Sequence, residues 1–223
     1  AGAFPASASL ARQLGGFSLG RERHMKIATF AAFIAATSSA AVAQTATPYF
    51  SSFETGADGF VATGDWELGI PVGFVGSNAS LEPTGGFDGD FAWGTVIGGD
   101  HNPSTVSTLS QVFDLSTSTA TTLTFYEWSD SGGNTFDVAE VLVNGTQFYL
   151  SDGNSLDAWR EVVVDLSAFD GVPSVDVTFQ FTTTGVVERT GWYLDSISVA
   201  PIPEPTSLAL LGLGGLMGLR RRR

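Results

Sequence analysis

The sequence predicts an all-β domain, an antiparallel β-sandwich, flanked by an N-terminal signal helix and a short C-terminal apolar helix. Three observations predict the sandwich. Between residues 48 and 200 several runs of strand length alternate apolar with polar residues, as a half-buried strand requires. No segment there sustains a 3.6-residue apolar period. Asn144-Gly145 stands between two of the runs, and both residue types tolerate the positive φ of a two-residue hairpin.

Taken from the start of the chain, residues 1–24 carry no motif and read as an upstream, disordered extension. Met25-Lys26 then opens a basic stretch, an apolar run over 27–36, and small residues ending in Ala41-Val42-Ala43 before Gln44. That order is a signal peptide over 25–43, with Ala41 and Ala43 as the small residues of the cleavage site.

The domain occupies 48–200. Strands are expected at 50–54, 65–69, 91–96 and 106–113, then at 123–128, 136–143, 146–150, 158–166, 175–181 and 191–199. The segment 175–181, Val-Asp-Val-Thr-Phe-Gln-Phe, places every second residue on one apolar face. Short strands without helices between them imply two packed sheets, and no internal repeat points to a propeller or solenoid.

After the domain come Pro201-Ile202-Pro203-Glu204-Pro205, an apolar run over 208–219, and four arginines at 220–223. The prolines stop any strand or helix. The apolar run is 12 residues, shorter than the roughly 20 of a full membrane span. The arginines supply a positive-inside stop.

Charge and composition exclude several functions. Within 48–200 there are 21 acidic residues against two cations, Arg160 and Arg189, a formal −19. Nucleic acid, whose phosphates need Lys and Arg, is thereby excluded as a partner; divalent cations and neutral or cationic partners are favoured. The chain has no cysteine, so thiol catalysis and thiolate metal sites are absent. The domain has one histidine, His101, in a Gly-Gly-Asp-His-Asn-Pro loop where a solvated role is expected, and there is no Gly-x-Ser-x-Gly elbow. The domain is read as non-catalytic.

The tail, with Pro203, Glu204 and Pro205 ahead of the apolar run and basic end, resembles the PEP-CTERM sorting signal of Gram-negative bacteria. The resemblance implies processing by an exosortase-type enzyme, transient inner-membrane insertion through the C-terminal helix, and a destination in the cell envelope or extracellular matrix.

A second resemblance rests on a series in order: Phe53-Glu54-Thr55-Gly56, Asp58-Gly59-Phe60, Trp66, Gly69-Ile70-Pro71, Phe91-Ala92-Trp93-Gly94-Thr95 and Phe113-Asp114-Leu115-Ser116. It continues with Leu123-Thr124-Phe125-Tyr126-Glu127-Trp128, Val163-Val164-Asp165-Leu166-Ser167 and Gly191-Trp192-Tyr193-Leu194-Asp195. This series is similar to the MAM-like jelly rolls called choice-of-anchor J domains. It departs from them where Asn144-Gly145-Thr146-Gln147-Phe148 replaces a Gly-Gly-x-x-Trp turn. The resemblance implies a jelly-roll β-sandwich of the carbohydrate-binding-module shape. It also implies a structural Ca²⁺ held by Glu54 and Asp195, with Asp88 and Asp90 adding oxygens from a neighbouring loop.

Of the five tryptophans, Trp66 and Trp159 sit nearest predicted loops and are the candidates for stacking on a sugar ring. The functional expectation is an exported, non-catalytic surface or matrix protein that binds exopolysaccharide. The alternatives are an adhesion module whose partner is another surface protein and, third, a secreted hydrolase.

Overall fold

A computed structural model describes residues 44–201 apart from 155 and 156. The extension 1–24, the signal peptide with Ala41 and Ala43, the C-terminal apolar helix and the motif Pro203-Glu204-Pro205 lie outside the described residues.

Among the described residues, twelve strands form two sheets. They are β1 (Thr45–Ala46), β2 (Tyr49–Ser51), β3 (Val61–Ala62), β4 (Trp66–Gly69), β5 (Ala92–Thr95) and β6 (Val106–Asp114). They continue with β7 (Thr121–Asp130), β8 (Val138–Val143), β9 (Thr146–Leu150), β10 (Arg160–Asp165), β11 (Val175–Thr182) and β12 (Gly191–Pro201). The first sheet runs β1-β6-β11-β8-β9, with β3 also on β6; the second runs β10-β7-β12-β5-β4, with β2 also on β12. This is the expected all-β sandwich.

The parity read from the sequence holds. In β11, Val175, Val177, Phe179 and Phe181 are fully buried while Asp176, Thr178, Gln180 and Thr182 face outward. In β7, Leu123 and Phe125 point into the core and Tyr126 and Trp128 point out. The β8–β9 hairpin turns on Asn144 and Gly145, at φ 48° and 76°, as their residue types require.

Three details differ from the sequence reading. The first strand stops at Ser51 rather than at 54, because Phe53 takes φ 61° and turns the chain. Strands β1 and β3 are unanticipated; at two residues each they are too short for alternation to register. The sandwich is also not wholly antiparallel, since β1 lies parallel to β6.

The core is aromatic-rich. Phe53, Phe60, Phe113, Phe125, Phe179, Trp93 and Trp192 meet mainly edge to face, with centroids such as Phe125–Phe179 at 5.1 Å. Such pairs each add about 0.5–1.5 kcal/mol beyond the area they bury. This offsets the absence of disulfides.

Candidate functional site

The site begins with an irregularity in β12. One edge of this strand pairs with β7 along its length. The other edge is divided: Tyr193 and Leu194 pair with β5, and Ile197 to Val199 pair with β2. Between them the register breaks in a bulge at Asp195–Ser198, with Ser196 at φ 50°. Backbone amides arriving at this gap have no ladder partner, and burying them unpaired is costly.

Two carboxylates satisfy them. Glu54, just after β2, accepts hydrogen bonds from the amides of Asp90 and Phe91 at 2.9 and 2.8 Å. Asp195, fully buried at the bulge, accepts one from the amide of Asp88 at 2.8 Å and another from Ser196. The loop 86–91 is therefore gripped from both sides. Its glycines are needed for the close approach: a Cβ on Gly86 would collide with the Phe91 carbonyl and the Asp195 carboxylate, and one on Gly89 with the Glu54 carboxylate. Gly89 also takes φ 94°. Burial pushes the Asp195 carboxyl up to about 6, against the opposing pull of the Asp88, Ser196 and Phe87 amides.

Carboxylate and carbonyl oxygens are the ligands a hard cation takes: the Asp195 carboxylate and the Phe91 carbonyl both lie close to Gly86, and the Glu54 carboxylate lies close to Gly89. Among the described residues no group of three or more His, Cys, Asp or Glu side chains surrounds one point, so backbone oxygens and water would complete any such shell. Asp88 and Asp90 differ from the expectation: their side chains are exposed, and they present amides to the carboxylates.

The gripped loop carries Phe87 onto the outer face of the second sheet, where its ring stacks on Tyr126 at 3.5 Å and 9°. Phe87 is 45% exposed. Cross-strand pairing extends the surface. Glu161 of β10 is directly opposite Tyr126, and Arg160 is opposite Glu127, so Trp159 falls beside Trp128. The two indoles meet edge to face at 6.2 Å. The Trp128 Nε1–H donates to the Leu81 carbonyl at 2.8 Å, which fixes the tilt of its ring. Tyr126 holds its proton above the ordinary phenol range because of desolvation and then the charge and hydrogen bond of Glu161. The result is a strip of Phe87, Tyr126, Trp128 and Trp159 with the exposed Glu161 carboxylate beside it.

Beneath the strip lies a buried charge. Glu127 points inward from β7 and is fully buried. It accepts from the Trp192 indole at 2.9 Å, the Tyr149 hydroxyl at 2.6 Å, and the Arg160 guanidinium, which also grips Asp152 at 2.8 Å. Burial, and then the Glu127 charge, raise Tyr149 far above its usual value, so it stays a donor. The network ties β7 to β9, β10 and β12. Arg189 is committed too, to Asp130 at 2.8 Å.

The structure separates the two tryptophans proposed from the sequence. Trp66 is a core residue, 5% exposed, on the inward face of β4 against Trp192 at 5.6 Å, and it is not available to a ligand. Trp159 is half-buried on the strip. His101 is not solvated: it is 1% exposed, with Nε2 at 3.2 Å from Asp137 Oδ2 and its ring edge-on to Phe181. Sequence reasoning missed Phe87, Tyr126, Trp128 and Glu161 as surface partners. A signal existed for two of them, because the inward parity of Leu123 and Phe125 forces Tyr126 and Trp128 outward.

Residues 201–223 match the PEP-CTERM protein-sorting motif, which places a bacterial surface-sorting signal at the C-terminus. No curated protein matches the chain at a significant level. Several solved structures resemble the domain. One is a carbohydrate-binding module of the β-sandwich superfamily, at 16% identity and TM-score 0.44, covering 70% of this chain and 63% of that one. A second is the K1 cleaved adhesin domain of Lys-gingipain from Porphyromonas gingivalis W83, at 13% identity and TM-score 0.46, covering 70% and 99%. A third is a xylan-binding domain from Paenibacillus barcinonensis, at 14% identity and TM-score 0.42, covering 71% and 96%.

Proposed function

We propose that this protein is a non-catalytic, exosortase-sorted surface protein that binds polysaccharide along the outer face of its second sheet. The observation that carries the reading is the strip of Phe87, Tyr126, Trp128 and Trp159, four aromatic side chains gathered on the outer face of the second sheet. Sugar rings present flat C–H faces that stack on such rings, and a row of aromatics suits a chain of sugars. The producer's own exopolysaccharide is the ligand that a sorted envelope protein meets first.

A Ca²⁺ at Glu54 and Asp195 belongs to the same reading. Glu54 and Asp195 would be its carboxylate ligands, and its positive charge would offset theirs where they hold loop 86–91. Its role is structural, and the ring contacts do the binding.

The test is retention of the purified protein on polysaccharide from the producing cells, alongside a glycan array, with Ca²⁺ present. Trp159→Ala and Phe87→Ala should each weaken retention by roughly thirtyfold while leaving the melting temperature within a few degrees. Retention unaffected by both substitutions would remove the strip from the mechanism, and no retention of the parent protein on any glycan would remove the function.

A further inference from the structure

The strip has a charge as well as a shape, and the charge selects among glycans. Resting on the reading of this face as a polysaccharide surface, we infer that its ligand carries protonated amines, as in a de-acetylated amino-sugar polymer, and that Glu161 confers the preference. Three observations converge on this.

First, Glu161 is exposed and lies directly across from Tyr126, next in its strand but one to Trp159. A carboxylate beside an aromatic row accepts hydrogen bonds from the hydroxyls of any sugar, and gains a charge-assisted bond only where the sugar carries an ammonium group over the rings. Aromatic faces themselves attract cations, so Trp128, Trp159 and Phe87 reinforce Glu161.

Second, the rim has the same sign. Asp88 and Asp90, which follow Phe87 in its loop, are exposed.

Third, no cationic side chain among the described residues is free to receive an anionic polysaccharide. Arg160 and Arg189 are the only Lys or Arg side chains among the described residues. Arg160 spends its donors on Glu127, Asp152 and Tyr149, and Arg189 is paired with Asp130. A uronate, sulfate or phosphate group brought to this strip would meet Glu161 unscreened by any free cation. Like charges so placed repel rather than merely fail to attract, which makes the face selective.

The inference separates cleanly from the broader reading by comparing three polymers: chitosan, chitin and polygalacturonate. Chitosan and chitin share a backbone and differ in whether the nitrogen is a charged amine or a neutral amide. Full-length protein in non-ionic detergent is expected to bind chitosan about tenfold more tightly than chitin, with the gap closing in high salt, and to leave polygalacturonate unbound. Glu161→Gln should narrow the chitosan-to-chitin ratio several-fold.

A protein this acidic can also adhere to any polycation without a site, so Trp159→Ala is the deciding control. It leaves the charge unchanged and must nevertheless lose chitosan. Chitosan binding that survives Trp159→Ala, equal affinity for chitin and chitosan, or a preference for polygalacturonate each overturns the amine inference, and the latter two leave glycan binding standing. Failure to bind all three overturns both. Trp159-dependent capture of a lysine-rich peptide in preference to chitosan would assign the face to a basic protein and overturn the inference as well.

Discussion

The outer faces of the two sheets obey the same constraint and are built from different chemistry. On the first sheet the outward positions include Thr108, Ser110, Asp176, Thr178, Gln180 and Glu140 together with the aliphatic Val106, Val112, Val138 and Leu142, and several of the polar ones pair: Gln180 and Gln147 both donate to Glu140, and Thr178 donates to Asp176. On the second sheet the equivalent positions hold Tyr126, Trp128 and Glu161, with Trp159 alongside and Phe87 laid on top by a loop held at two carboxylates. Folding asks only that an outward strand position tolerate water. Thr and Gln meet that demand on the first sheet, whereas on the second Trp128 also holds Leu81 and Tyr126 seats Phe87, which leaves Trp159 as the ring with no loop packed on it among the described residues. The contrast also explains where the loops go. The second sheet buries Tyr193 and Glu82 under the segment 70–98, where Glu82 accepts amides from Val72, Phe74 and Gly98.

The contrast can be tested by damage to each face. The largest effect is expected below the aromatic face. Glu127→Ala strands Arg160, the Trp192 indole and the Tyr149 hydroxyl without their shared acceptor, and should cost about 3–5 kcal/mol in denaturant unfolding. A loss under 1 kcal/mol would mean that the network is not what joins β7 to β9, β10 and β12.

Next in size is the loss of binding. Trp159→Ala should weaken glycan retention by about 2 kcal/mol, roughly thirtyfold, whereas Gln180→Ala on the first sheet should leave it unchanged. Equal losses on both faces would erase the distinction between them. The loop anchor comes third. With Ca²⁺ at about 100 times its dissociation constant the expected stabilisation is about 2.7 kcal/mol, a melting shift of several degrees. EDTA should remove the shift, and Asp195→Asn or Glu54→Gln should abolish the response. A melting curve indifferent to EDTA, in protein shown by elemental analysis to be metal-loaded beforehand, would reject the ion.

The smallest effect is at Asp152, whose carboxyl is held below its usual range chiefly by the Arg160 hydrogen bond. A depressed carboxyl contributes stability above its unfolded pKa and loses it as pH falls through its folded value. Asp152→Asn should therefore trim stability at neutral pH by about 0.2–1 kcal/mol and converge with the parent in acid. A larger gap in acid than at neutral pH would reverse the assignment.

What was legible in the sequence is what a short window contains. Alternation gave β11 and β7 their inward and outward sides, Asn144-Gly145 gave the hairpin, and the order of prolines, apolar run and arginines gave the sorting tail, because each of these signals is complete within a few residues. The same local rule left Trp66 and Trp159 indistinguishable, since both border loops. Only sheet order decides that Trp66 faces Trp192 across the core while Trp159 lies on an outer surface.

The site was decided by contacts far apart in the chain. The Asp88 amide reaches Asp195 across 107 residues, and Glu54 reaches Phe91 across 37. Those carboxylates meet one loop because β2 and β5 divide the edge of β12 at a bulge. A residue's own neighbours determine which side of a strand it faces; which strands lie beside it, and so which side chains meet there, is fixed only when the whole sandwich closes.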